Sequence, residues 1–195
     1  MTDADNSIKA LAEASAVKYG REIQHQTAFR GSHASNDAAE RAILEVSWQV
    51  WTNVNAVEAR YKDHKLKVSS IAYPWLVRHS AWQLTRYLVK TDGKTLHGRL
   101  KGHEFNGEFV EPCEIAHYKL AQDERGKLDA QSSIGVWLGK FLQSDEHYIG
   151  TAEGIRCCRS AWRRPEAKRW ELKRFEAIKG VPWQPKGGPT SVFRW

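Results

Sequence analysis

Sulfur is scarce in this chain. Three cysteines, Cys113, Cys157 and Cys158, in 195 residues cannot build the bonded framework of a small secreted domain. Cys157 and Cys158 are adjacent, and disulfide geometry is hard to meet across one peptide, so reduced thiols in a reducing compartment are expected. No run approaches the roughly 18 apolar residues of a membrane span. The opening Met1-Thr2-Asp3-Ala4-Asp5-Asn6 is too acidic for a secretory signal or a transit peptide. An intracellular protein outside the membrane is therefore expected. At 41% hydrophobic and 27% charged residues, the composition suits one ordinary domain or two small ones better than a disordered segment.

What the chain does have is positive charge, unevenly placed. Residues 1–72 carry 9 Lys/Arg and 9 Asp/Glu, and residues 73–151 carry 10 of each. Residues 152–195 carry 11 against 4, so the whole net charge of +7 sits in the last 44 residues. A balanced body with a basic end points to a polyanionic partner. Arg156, Arg159, Arg163, Arg164, Lys168, Arg169, Lys173 and Arg174 are interleaved there with Trp162, Trp170 and Phe175. Cations contact phosphates and aromatic faces stack on bases, which makes these eight residues the candidate nucleic-acid contacts. The plainer reading is a solvated charged helix docked by its aromatic residues.

Periodicity divides the chain. Asn6 or Ser7 caps a predicted helix that runs to about Lys18 and stops at Gly20, with apolar Ile8, Leu11 and Val17. Ile43, Val46, Val50, Val54, Val57 and Tyr61 recur at helical steps and predict one long helix from Ala38 to about Lys62, capped by Asp37. A third helix is expected from Pro74 to about Val89. After Asp92-Gly93-Lys94 the pattern changes to short β-branched and aromatic runs. Glu114–Leu120, Gly135–Phe141, Glu146–Thr151 and Gly154–Arg159 read as strands of a small antiparallel sheet or barrel. A charged helix over Pro165–Lys179 and a Pro/Gly-rich end complete the chain. The expected organisation is α+β: a mostly helical part at 1–91, a β-rich module at 92–160, and a basic helix with its tail at 161–195.

Other motifs are weaker. Gly93-Lys94-Thr95 is no phosphate loop, because the glycine required five residues before Gly93 is Leu88; it reads as a turn. Cys113 and His117 have no partner pair at zinc spacing, and His79 on a Trp-flanked helical face reads as a packed histidine. Asp3 and Glu40 lie 37 residues apart. Two carboxylates brought together can hold divalent ions for phosphoryl transfer, although an Asp near a terminus and a Glu in a first helical turn are usually solvated.

The order of several segments adds to this. Ser35-Asn36-Asp37-Ala38-Ala39-Glu40-Arg41 resembles the Asn-Gly-x-x-Glu-Arg signature of retroviral and copia-type retrotransposon integrases. Thr2-Asp3-Ala4-Asp5-Asn6 resembles the element carrying the second acid of their Asp, Asp, Glu triad. Downstream, Trp75-Leu76-Val77-Arg78-His79-Ser80-Ala81-Trp82, Asp92-Gly93-Lys94-Thr95, Lys127-Leu128-Asp129, Gly135-Val136-Trp137-Leu138-Gly139 and Ser144–Tyr148 are similar to elements of copia-type Pol polyproteins in the same order. The resemblance covers about residues 2–185. In three places the chain departs from it: Asp37 replaces the signature glycine, Leu96-His97-Gly98 replaces Pro-Tyr-Glu, and Pro112-Cys113 stands for a usual Phe-Gly.

The resemblance implies the trailing helices of an incomplete ribonuclease-H-like core, then a small antiparallel β module and a basic C-terminal helix. It makes Asp3 and Glu40 the second and third catalytic acids and the metal ligands, with Mg2+ or Mn2+ as the cofactor of the intact enzyme. It implies element ends, target DNA and other integrase copies as partners, no membrane, and the nucleus as location in a eukaryotic host. The first acid would lie upstream of Met1, so little strand transfer is expected from this polypeptide alone. Two other readings stay open: a non-catalytic nucleic-acid-binding module, and a decayed reading frame without function. If the basic tail is the DNA contact, truncation after Thr151 is expected to abolish most binding to duplex DNA at low salt.

Overall fold

The computed structural model describes residues 6–20, 37–62, 64–107, 110–121 and 129–186. The chain falls into two units, Met1–Ser47 and Trp48–Trp195, and the division lies within a helix. The elements are α1 (Asn6–Tyr19), α2 (Asp37–Arg60), α3 (Ala72–Tyr87), α4 (Leu96–Lys101), β1 (Ile115–Lys119), β2 (Ser132–Lys140), β3 (His147–Thr151), β4 (Gly154–Cys158), β5 (Ala161–Arg163) and α5 (Leu172–Glu176). The expected α+β class is observed, with one five-stranded antiparallel sheet. No helix among the described residues is long and apolar enough to cross a membrane.

In the first unit, α1 ends at Gly20, whose φ of +59° favours glycine. Leu11, Val17, Ile43 and Leu44 are exposed. The apolar stripe expected along α2 is therefore only half a core face. Burial is observed from Val50 on, through Val57 and Tyr61, all in the second unit.

That second unit is built on the sheet, in the order β4-β3-β2-β1-β5. Four strands were legible as short β-branched and aromatic runs between turn residues; β5 was not, because three residues are too few to show such a run. Strand alternation sends side chains to opposite faces. Ile115, Val136, Leu138 and Tyr148 join Val57, Tyr61, Leu66, Trp75, Leu76, Phe175 and Ile178 in one core. Ala116, Tyr118, Trp137, Ile149 and Cys158 join Val110 in a second. Each large apolar side chain so buried contributes roughly 1.5–3 kcal/mol.

Polar anchors fix the register of these layers. Trp75 Nε1 donates to the Gly180 carbonyl at 3.0 Å, and the Tyr61 hydroxyl donates to the Cys113 carbonyl at 2.8 Å. Tyr61 also stacks on Phe175 with centroids 4.6 Å apart. Between α2 and α3, Asn53 Nδ2 donates to Ser80 Oγ and to Gln83 Oε1, at 2.9 and 2.7 Å.

The helix expected over Pro165–Lys179 is not continuous. A 3-10 turn spans Glu166–Lys168 and α5 only Leu172–Glu176. The reason is local: the amide of Ile115 takes the Arg169 carbonyl at 2.8 Å, and Glu171 is extended at φ −125°. A carbonyl used to start a strand is lost to an i→i+4 ladder. The segment after Thr151 thus supplies β4, β5 and three core residues, Cys158, Phe175 and Ile178. Deleting it would remove part of the core, so truncation cannot isolate a DNA contact.

One face of α3 lies against the β2–β3 hairpin. His79, 1% exposed, stacks on Trp82 at 5.5 Å and meets Trp137 edge-on at 5.1 Å. Gly139, at φ +126°, lets the strand pass: a Cβ there would lie 3.2 Å from His79 Nδ1. Among the described residues neither ring nitrogen of His79 has a hydrogen-bond partner. Burial accordingly pushes its pKa down to about 3. His147 accepts from Trp137 Nε1 at 2.9 Å and is pushed down to about 4, by burial first and then by the Lys140 ammonium.

Both histidines are neutral in the fold and take a proton readily when unfolded, near pH 6.5. Their contribution is complete above that pH and is lost as pH falls towards 4, because the unfolded chain then binds more protons. Each adds a slope of up to about 1.4 kcal/mol per pH unit. Denaturant titrations between pH 7 and 4 should show this steep loss, and His79→Phe should flatten it by about one histidine's share. An unchanged slope in that variant would contradict the assignment.

Candidate nucleic-acid interface

The acids come first. Asp3 lies outside the described residues. Glu40 stands exposed in the first turn of α2. Asp37 beside it pairs with Arg41 at 3.1 Å across one helical turn, both side chains largely exposed. Among the described residues no group of three or more His, Cys, Asp and Glu could hold a metal ion. Cys113 is 1% exposed and burial pushes its thiol up to about 12. Cys158 is raised to about 11 for the same reason, and Cys157 is exposed.

The eight cations of the basic segment separate into two groups. Arg163 and Arg169 turn inward onto Glu114, which is 0% exposed. Arg163 donates to its two oxygens at 2.9 and 2.6 Å, in a bidentate fork, and Arg169 Nε lies 3.3 Å away. Arg163 also donates to Glu111 at 3.1 Å, and Glu111 accepts a second fork from Arg60 at 3.0 and 3.1 Å. The hydrogen bonds to Glu114 hold Arg163 more firmly protonated than a free arginine. Arg164 joins them by a backbone contact: Nη1 donates to the Lys168 carbonyl at 2.9 Å, while its own carbonyl accepts from Arg169 Nε at 2.6 Å.

The remaining five face solvent to different degrees. Arg159 has a side-chain exposure of 91% and only a 3.6 Å pairing with Glu146. Lys168 and Lys173 are exposed. Arg174 is exposed and donates to Glu171 at 2.9 Å, and half-buried Arg156 on β4 donates to Glu153 at 3.3 Å. Exposed pairs of this kind are worth little and can be exchanged for phosphate.

Sequence reading missed two features. One is the pairing of Arg163 with Glu114, hidden because β5 was not recognised and nothing marked Glu114 as buried. The other is a ring pair on the sheet: Trp162 of β5 lies directly across from His117 of β1. Their rings are 5.7 Å apart and 12° from parallel, with Trp162 43% exposed. Comparison with protein-family models, curated proteins and solved structures gave no match.

A buried carboxylate that loses its cations, or cations that lose their carboxylate, cost more than the pair is worth. Glu114→Ala should therefore destabilise the protein by about 3–5 kcal/mol, read by urea unfolding at pH 7. A loss below about 1 kcal/mol would place Glu114 among ordinary surface acids.

Proposed function

We propose that the chain derives from the integrase region of a copia-type Pol polyprotein and that its second unit serves as a nucleic-acid-binding module. The observation that carries the binding part is the placement of charge. The basic segment spends Arg163 and Arg169 on a buried acid, yet Arg159, Lys168, Lys173 and Arg174 remain on the surface. Phosphates attract such cations whatever the base sequence.

The derivation rests on the ordered motifs and gains support from one backbone detail. Cys113, where the resemblance would put glycine, has φ +64°, a conformation that glycine adopts freely and a branched or bulky residue resists. The Gly135-Val136-Trp137-Leu138-Gly139 element lies on β2, and its last glycine is the one that admits His79. On this reading Asp3 and Glu40 are acids of a metal-dependent phosphoryl transfer that the intact enzyme performs on DNA ends with Mg2+ or Mn2+. The non-catalytic module is the second reading, and the surface charge favours it equally. Asp3→Asn with Glu40→Gln separates the two: acids that hold metal against DNA should lose any Mg2+-dependent gain in DNA binding when neutralised, whereas a non-catalytic module binds equally with and without Mg2+ and is unaffected by the change.

The binding itself is tested on the surface cations. Arg159→Ala, Lys168→Ala and Lys173→Ala together should weaken binding to a duplex oligonucleotide at 50 mM salt by about tenfold or more. They should also reduce the slope of log affinity against log salt by about two to three. Circular dichroism melts should be unchanged. Equal affinity and slope in the triple variant and the parent would overturn the proposal.

A further inference from the structure

The alternation of β5 separates two jobs. Arg163 points to the face where Glu114 holds it, so its neighbour Trp162 points to the other face, against His117. A tryptophan with a parallel ring beside it and 43% of its surface still exposed is a flat apolar surface already fixed in place. Nothing has to be ordered when a second flat ring lands on it.

Cations flank this surface. Lys119 lies two residues along β1 from His117, on the same side of the strand, and is exposed. On the other side, the bond from Arg164 to the Lys168 carbonyl holds the Glu166–Lys168 turn against the end of β5, with Lys168 exposed. Glu166 is the one acid of that turn. β5 is also an edge strand, paired only with β1, so the platform is open along one margin of the sheet.

We propose that the Trp162–His117 pair is a stacking platform for an unpaired nucleobase, and that the β1–β5 edge takes single-stranded nucleic acid in preference to duplex. Lys119 and Lys168 contact the phosphates on either side. The proposal rests on the nucleic-acid reading above and specifies its substrate. The preference follows from geometry: in a duplex both faces of every base are covered by its neighbours, whereas a single strand can turn a π-face to a protein ring. An acidic peptide would satisfy the two lysines but leave the indole face uncovered.

The experiment is fluorescence anisotropy on the full chain at low salt, with a labelled oligothymidine and a duplex of equal length. Single-strand binding should be the tighter. Trp162→Ala should weaken it by about tenfold and change duplex binding by less than about twofold, while Trp162→Phe retains most of the affinity. As a readout free of substitutions, an oligothymidine carrying 5-iodouracil should cross-link at Trp162 on irradiation. Equal loss on both substrates in Trp162→Ala, or a cross-link elsewhere, overturns the platform and leaves the nucleic-acid reading standing. Failure of the unsubstituted chain to bind either substrate overturns both.

Discussion

A carboxylate with no exposed surface must be neutralised where it lies, and Glu114 sets the terms for much of the second unit. Isolated in a protein interior its charge would cost several kcal/mol, so the chain must bring cations to it. It brings two, Arg163 from the strand that edges the sheet and Arg169 from the turn that follows. The same Arg163 reaches Glu111, and Glu111 reaches Arg60 at the end of α2. One line of alternating charge therefore ties α2, the entry to β1, β5 and the Glu166–Lys168 turn. The backbone agrees with it: the Arg169 carbonyl is taken by Ile115, the residue after Glu114. Side-chain and main-chain demands at this point coincide, which is a sign of a specified rather than an incidental arrangement.

The other support of the fold is aromatic. Along α3, His79, Trp82 and Arg86 follow one another on the same face. Arg86 lies 4.6 Å over the Trp82 ring and 5.2 Å over Phe105. Its charge is buried, and burial lowers its pKa against the opposing pull of Asp145. One hydrogen bond from Nη2 to the Leu142 carbonyl, at 2.9 Å, and the two ring faces replace the water it has lost. The hairpin is held to α3 by a guanidinium between rings, a device that no short motif announces.

Where the sequence was legible, a period made it so. Val50, Val57 and Tyr61 fall at helical spacing and are buried, and the short β-branched and aromatic runs around Val136 and Ile149 form strands buried on both faces. The same period misled at Ile43, which is exposed: periodicity records which side chains share a face, and not whether anything covers it. In the basic segment the error had another source. Lys, Arg, Glu and Ala favour helices on propensity alone, but the Arg169 carbonyl was already claimed by the sheet, and tertiary hydrogen bonding overrode local preference. Composition marked the segment that holds the surface cations Arg159, Lys168, Lys173 and Arg174. It could not divide inward Arg163 from outward Trp162, because that depends on the phase of a three-residue strand.

The outer strands of the sheet are β4 and β5, and open strand margins are templates for further strands from other molecules. Here β5 is three residues long, contains Arg163 and is followed by Arg164 and Pro165, which has no amide hydrogen to offer. On β4 the Ile155 amide is already taken by the Pro185 carbonyl at 2.8 Å. An incoming strand would meet a bonded amide at β4 and, beyond β5, an interrupted ladder. A short outer strand, a proline and a chain segment bonded to β4 thus leave a second copy of the chain little backbone on which to extend the sheet.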